Sequence, residues 1–125
     1  MLYEVSVSRA FTASHSMLLP SGSPEPAHEH DWRMTATFRA DRLDGATAVA
    51  IDFTAVQRAM DSLVDELQGT VLNSLAPFGD GRCTAERVAE YLAGRLAERL
   101  DDRRPYRLTV TEAPGCSAAF YPDGP

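Results

Sequence analysis

Alternating apolar and polar residues predict two β-strands in the first third of the chain. Residues 3–9 alternate between apolar and polar side chains, and the alternation runs on towards His15. This pattern is typical of a strand with one buried face. The same alternation returns from His28 to Ala40 and predicts a second strand. Residues 17–27 are rich in proline, so we expect them to form a loop between the two strands.

Two later segments have apolar residues at helical spacing. The first begins with Thr54-Ala55-Val56-Gln57, the pattern of a capping box, and its apolar positions continue to Leu67. Thr84 is a suitable N-cap for a second helix with its own apolar stripe. Residues 47–53 predict a short strand before the first helix, and residues 68–82 predict a long loop between the helices.

The end of the chain predicts two further strands. Tyr106 to Glu112 alternates, and residues 118–121 are suited to a final edge strand. The order strand, strand, helix, helix, strand, strand favours an α+β fold: a four-stranded antiparallel sheet with two helices on one face. We expect a single domain over residues 1–125. The second face of the sheet would then lack cover, which favours self-association.

Composition and charge indicate which partners and which cellular location are expected for the protein. The 125 residues are 44% hydrophobic and 24% charged, as in an ordinary soluble globular protein. The net charge of −6 disfavours nucleic acid and anionic membranes as partners. We expect no signal peptide and no membrane span, and hence a cytoplasmic protein. Cys83 and Cys116 fit no metal-binding spacing and are expected to be free thiols.

The predicted strand pairing brings all three histidines of the chain together. His28 and His30 are two residues apart, so on a strand their side chains point the same way. If the first two strands pair antiparallel, His15 lies opposite them. Three imidazoles with one open position are typical of a catalytic zinc site. The alternative is that His28 and His30 are merely solvated at the end of a loop.

Six short motifs follow one another in the order of a known family. They are FTASH at 11–15, HEH at 28–30, IDFTAV at 51–56, VLN at 71–73, CTAE at 83–86 and TEA at 111–113. Together they resemble the 6-pyruvoyltetrahydropterin synthase and 6-carboxytetrahydropterin synthase family over nearly the full chain. The resemblance implies the tunnelling fold, in which subunits join their sheets into a barrel. It also implies a homo-oligomer, trimer or hexamer, with pterin sites between subunits.

The resemblance also implies roles for individual residues. His15, His28 and His30 match the family's zinc ligands. Glu112 matches the acidic residue that holds the pterin, because a carboxylate can accept two parallel hydrogen bonds from the amino group and ring N–H of the pterin edge. Thr84 lies where the family has a residue near that ring. The alternatives are a solvated strand end for Glu112 and a helix N-cap alone for Thr84.

The sequence departs from the family pattern at several positions. Glu29 replaces the glycine between the paired histidines and is expected to face away from the metal. Pro24 stands where the bacterial members have their catalytic cysteine, and Gln68 and Gly69 replace an Asp-His pair. Because the three histidines are assigned to zinc, no imidazole remains for proton transfer. We therefore expect the family's ordinary proton-transfer route to be absent.

Glu25 is the candidate replacement for the missing base. A subgroup of the family has glutamate in an E-x-x-H-x-H pattern, and EPAHEH at 25–30 is similar to it. That subgroup is associated with cleavage of the dihydroneopterin side chain to a 6-hydroxymethyl pterin. The alternatives are an exposed loop glutamate at position 25, or a base supplied by Cys83, Cys116 or zinc-bound water. Cys83 begins the second helix, whose dipole would favour the thiolate.

These observations predict a zinc-dependent lyase that acts on the side chain of a reduced pterin, such as dihydroneopterin or its triphosphate. Its partners would be a small-molecule pterin and further copies of the same chain. Two other readings stay open. One is a diverged 6-carboxytetrahydropterin synthase, and the other is a catalytically inactive homologue that binds a pterin.

Overall fold

A computed structural model describes residues 1–125 and contains one antiparallel sheet of four strands. The strands are β1 (Tyr3–His15), β2 (His28–Ala40), β3 (Arg107–Ala113) and β4 (Cys116–Phe120). Each strand pairs with the next one along the chain, so the order in the sheet is β1-β2-β3-β4. The predicted α+β class and sheet are confirmed.

Both helices pack on one face of the sheet. Helix α1 (Phe53–Leu67) lies against β1, and helix α2 (Ala85–Glu98) lies against β3 and β4. Two single-turn 3₁₀ helices, Leu72–Ser74 and Ala76–Phe78, interrupt the predicted loop between them. Neither helix is long and apolar enough to cross a membrane, and the cytoplasmic location stays a prediction.

The core lies between the helices and the apolar face of the sheet. Trp32, Met34 and Ala36 alternate along β2 and are fully buried, while the intervening side chains point to the other face. The apolar stripes of both helices cover them, and 22 buried residues form one continuous cluster. His30 and His28, two and four residues before Trp32, lie on this same helix-covered side of the sheet.

The start of α1 differs from the prediction. The N-cap is Asp52, whose carboxylate accepts a hydrogen bond from the Thr54 backbone N–H at 2.9 Å, so Thr54 is already inside the first turn. The predicted strand at 47–53 is absent. Asp44 instead closes a turn by accepting hydrogen bonds from the backbone N–H groups of Ala46 and Thr47. The alternation of side chains at 47–53 did not reveal this turn, because it depends on hydrogen bonds from the backbone to the Asp44 side chain, which compete with strand pairing.

The second face of the sheet is polar. Hydroxyl groups pair across β1 and β2, Ser6 with Thr37 at 2.9 Å and Ser8 with Thr35 at 2.7 Å. Antiparallel sheets commonly leave such a face to water. The second face is open, as predicted, but it is polar, so the free edges of the sheet are the better place for copies of the chain to join.

The loop after α1 covers only the end of the β1 edge. Gly69 N–H donates to the Thr12 carbonyl at 2.7 Å, and the Thr12 N–H donates to the Gln68 side chain at 3.0 Å. The Ser14 N–H donates to the Thr70 carbonyl at 2.9 Å. Gly69 has φ +76°, which favours glycine. Gln68 and Gly69 thus hold a strand edge in this chain.

We expect the protein to form a trimer or hexamer in solution. The first part of β1 and the whole of β4 are free edges on opposite sides of one sheet, so copies can pair side by side through backbone hydrogen bonds. Light scattering at micromolar concentration measures the mass directly. A stable monomer would contradict this expectation.

Candidate active site

The register of β1 and β2 brings the three histidines together. His15 pairs directly with His28, and Ala13 pairs with His30. The ring centroids of the three histidines are 4.6 to 5.1 Å apart. The cluster lies on the helix side of the sheet, next to Trp32 in the core. The clustering predicted from strand pairing is therefore present.

His15 is the most rigidly held member of the cluster. Its side chain is fully buried, and its Nδ1 lies 2.7 Å from the backbone carbonyl oxygen of Cys83. Since a carbonyl can only accept, Nδ1 carries the proton and Nε2 presents a lone pair to the other histidines. Burial also lowers the pKa of His15, which favours the neutral ring.

His28 forms the open side of the cluster. Its side chain is 41% exposed, and its Nδ1 donates to the Pro26 carbonyl oxygen at 3.2 Å, which leaves Nε2 free. His30 is less exposed, and its Nε2 has no hydrogen-bond partner. The cluster is therefore closed on the core side and accessible at His28.

The donor atoms of the cluster fit a metal ion. One ligand atom from each of His15, His28 and His30 lies within 4.8 Å of the other two. The Nε2 atoms of His15 and His30 are buried and have no hydrogen-bond partner. Such atoms are costly to bury unless something else satisfies them. Neutral imidazoles are preferred ligands of zinc, so the three residues could hold this ion.

Glu112 faces the histidines and is not a solvated strand end. The pairing of β3 with β4 is irregular between Thr111 and Ala113, which places Glu112 at a β-bulge. Its Oε1 is 2.8 Å from His15 Nε2 and 3.8 Å from His30 Nε2. The same oxygen is buried and lacks a partner with hydrogen-bond geometry. The carboxylate therefore reaches the cluster from the neighbouring strand, β3.

Glu25 is held in place by the loop that carries it. Its Oε1 accepts a hydrogen bond from the Met17 N–H at 3.0 Å, and its own N–H donates to the Met17 carbonyl at 2.9 Å. A bridge between Leu18 and Pro24 closes the loop further. The carboxylate is 21% exposed and lies 3.7 Å from His28 Nδ1. The alternative of a free, exposed loop glutamate is therefore wrong.

The two cysteines occupy different environments. Cys83 is completely buried, and this burial raises the pKa of its thiol to about 12. The expectation that the helix dipole favours the Cys83 thiolate is therefore wrong, because desolvation outweighs the dipole. Cys116 is exposed at the start of β4. Both are free thiols, as predicted.

A cavity of about 540 Å³ opens beside the cluster. Glu112 lies between the histidines on one side and this cavity on the other, where Glu86 and Cys116 also line the wall. Thr84 directly precedes Ala85, which also lines the cavity, and it caps α2, its Oγ1 accepting from the Arg87 N–H at 3.3 Å. The N-cap prediction for Thr84 is confirmed, and its role beside a pterin stays a prediction.

Asn73 supports the cluster without having been assigned a role from the sequence. Its side-chain oxygen accepts from the Ser16 N–H at 2.9 Å, and its Nδ2 donates to the Ser16 carbonyl at 3.0 Å. Ser16 directly follows His15, so this double hydrogen bond holds the end of β1. In the sequence, only the presence of Asn73 in the VLN motif at 71–73 pointed to this residue.

Arg87 positions the backbone that binds His15. Its guanidinium donates to the carbonyls of Pro77 at 2.7 Å and Arg82 at 2.8 Å, and it pairs with Asp80. The Arg82 backbone N–H and the Arg87 guanidinium lower the pKa of Asp80 to about 2, so the carboxylate stays ionised. These contacts order the loop that ends at Cys83.

Comparison with known proteins identifies the family. The family model described as 6-pyruvoyl tetrahydropterin synthase matches residues 4–123. No curated protein sequence matches the chain significantly. The Caenorhabditis elegans 6-pyruvoyl tetrahydropterin synthase structure has a TM-score of 0.85 at 17% identity, covering 97% of this chain and 96% of that chain.

Two further solved structures share the fold. One is a Plasmodium vivax 6-pyruvoyltetrahydropterin synthase in which a glutamate, a catalytic residue, is replaced by alanine; its TM-score is 0.75 at 17% identity, with 96% and 97% of the two chains covered. The other is an uncharacterized protein from Wolinella succinogenes, with a TM-score of 0.72 at 15% identity and 98% and 99% covered. Since the family model spans nearly the whole chain, the protein belongs to the 6-pyruvoyl tetrahydropterin synthase family.

Proposed function

We propose that the protein is a zinc-dependent enzyme that cleaves the side chain of a reduced pterin, such as dihydroneopterin or its triphosphate, by an aldol-type lyase reaction. One observation carries the proposal. Three imidazoles, two of them with unpartnered nitrogens, converge between two carboxylates, Glu25 and Glu112. Membership of the family supports a pterin as the substrate.

The three histidines are proposed to hold the zinc ion. Burial lowers the pKa of His15, and His15 and His28 each donate from Nδ1 to a backbone carbonyl, so their Nε2 atoms are available. When bound, zinc would polarise the oxygens of the substrate side chain.

Glu112 is proposed to hold the pterin ring. It lines the cavity of about 540 Å³, which is large enough for a small ligand. Its carboxylate can accept two parallel hydrogen bonds from the amino group and the ring N–H of the pterin edge.

Glu25 is proposed to be the general base. It would remove the proton from a side-chain hydroxyl, and that carbon becomes a carbonyl as the adjacent carbon–carbon bond breaks. The electron pair of the broken bond passes into the C=N of the ring. The proton held by Glu25 can then return to the ring-side carbon, which leaves a 6-hydroxymethyl pterin and an aldehyde.

Two observations support Glu25 as the base. The buried Cys83 thiol has a pKa of about 12, which disfavours its thiolate near neutral pH. The Plasmodium vivax relative, which has the same fold, uses a glutamate as a catalytic residue. Pro24 offers no proton-transfer group, and Gln68 and Gly69 hold the edge of β1.

The products decide between the proposed reaction and its alternatives. We expect zinc-loaded protein, incubated with dihydroneopterin and with its triphosphate, to release a 6-hydroxymethyl pterin identified by mass. Rapid formation of pyruvoyl-pterin would show that the family's ordinary route operates after all. Tight pterin binding without turnover would favour an inactive pterin-binding homologue.

The metal content tests the histidine cluster. We expect about one zinc per chain, because three imidazoles make a catalytic-type site. His28→Ala is the cleanest variant, since His28 is 41% exposed and its loss disturbs the core least. Elemental analysis should show loss of zinc in His28→Ala, and likewise in His15→Ala and His30→Ala. Unmodified protein without divalent metal, even after zinc is supplied, would contradict the assignment.

The variant Glu25→Gln tests whether Glu25 is the general base. The amide keeps the oxygen that accepts from Met17, so the loop, the zinc and pterin binding should be preserved. The rate of the chemical step should fall by roughly 10²–10⁴-fold, which is the contribution of a positioned base. Glu29→Gln is the matched control, because Glu29 is an exposed glutamate beside the same histidines. Equal single-turnover rates in Glu25→Gln and Glu29→Gln would show that Glu25 is not the base.

A further inference from the structure

The cavity of about 540 Å³ beside the histidine cluster is acidic. Its charged lining residues are Glu86 and Glu112, and its other side chains are small and neutral. No arginine lines the cavity, and the chain contains no lysine. A ligand in this cavity therefore meets two carboxylates and no cationic side chain.

The two arginines nearest to the cavity along the chain are already paired. Arg82 and Arg87 each lie 2.9 Å from a carboxylate oxygen of Asp80. Arg87 also donates to the backbone carbonyls of Pro77 and Arg82. Proteins usually hold a phosphate group with guanidinium or ammonium groups that are free to contact it. Neither arginine can make such a contact without leaving Asp80.

The N-terminus of α2 lies beside the cavity and would by itself attract an anion. Its own side chains oppose this. The Thr84 hydroxyl accepts a hydrogen bond from the Arg87 N–H at 3.3 Å, and Glu86 places a negative charge in the first turn. The Glu86 side chain is exposed, so its carboxylate can repel an anionic ligand group or accept a hydrogen bond from a neutral one.

We propose that the site selects a reduced pterin with an unphosphorylated side chain, such as dihydroneopterin itself, and that Glu86 disfavours the phosphorylated forms. The inference rests on the proposed function, in which Glu112 holds the pterin ring in this cavity. The side-chain hydroxyls of dihydroneopterin can donate hydrogen bonds to carboxylates. Phosphorylation replaces the last of these donors with a group that carries about −1.5 to −2 charges near pH 7.

The size of the cavity makes this selection independent of how the substrate lies in it. A compact space of about 540 Å³ is little wider than the Debye length, which is about 8 Å at physiological ionic strength. A phosphate anywhere inside the cavity is therefore repelled by both carboxylates. Hydrogen bonds from the pterin ring would offset the charge of Glu112 in part, which leaves Glu86 as the main source of the repulsion.

Calorimetry on zinc-loaded protein tests the selection with the charge of the metal included. The probes are neopterin and neopterin monophosphate, the oxidised forms of the two kinds of substrate. We expect the monophosphate to bind at least about tenfold more weakly at low ionic strength, because like charges repel across a short distance. The difference should shrink as salt is added, since salt screens exposed charges. Equal or tighter binding of the monophosphate at low ionic strength would overturn the inference.

The variant Glu86→Gln tests the residue. Removal of this charge should narrow the difference between the two probes at least about threefold, which is the size of a strong interaction between exposed charges. Glu90→Gln is the matched control, because Glu90 is exposed one turn further along α2 and does not line this cavity. Thermal melting checks that both variants are folded. An unchanged difference in Glu86→Gln, or an equal narrowing in Glu90→Gln, would show that Glu86 does not determine the selection.

Turnover separates this inference from the proposed function. Preferential binding of neopterin without turnover of any dihydropterin would remove the proposed reaction and keep the selection. Equal kcat/KM for dihydroneopterin and its triphosphate would keep the reaction and overturn the selection. Binding of neither probe would overturn both.

Discussion

The antiparallel register between β1 and β2 is the constraint on which the rest of the structure depends. It pairs His15 with His28 and Ala13 with His30 on the face that also carries the apolar core. Side chains alternate with a period of two, so a slip of β2 by one residue would move its core side chains and its two histidines together to the polar face. The same pairing therefore determines both the stability of the fold and the assembly of the site.

Burial controls the chemistry of the cluster. His15 ends the apolar row of β1 and is enclosed beside Trp32, so desolvation lowers its pKa and the neutral ring is favoured. The backbone carbonyl of Cys83 then selects which nitrogen carries the proton. Arg87 orders the loop that supplies this carbonyl, and Asn73 holds the residue after His15. The His15 side chain is thus held inside the core in a defined orientation.

The two carboxylates reach the site from different kinds of structure. Glu112 follows the buried Leu108 and Val110 on the same face of β3, and a hydrogen-bonded loop holds Glu25 beside His28. The sheet thus supplies the imidazoles and Glu112, while the loop supplies Glu25.

The sequence by itself determined the four strands of the sheet, the two helices and the meeting of the three histidines, although it also predicted a strand at 47–53 that does not form. Side-chain periodicity and the pairing of β1 with β2 leave a direct trace in the residue order. Only the tertiary structure decided the helix start at Asp52, the burial that keeps Cys83 protonated, and the approach of Glu112 to His15. Each of these depends on desolvation or on hydrogen bonds between atoms whose positions are set by packing. A pattern of residue types does not contain that information, because the same residues in a solvated strand or loop would behave differently.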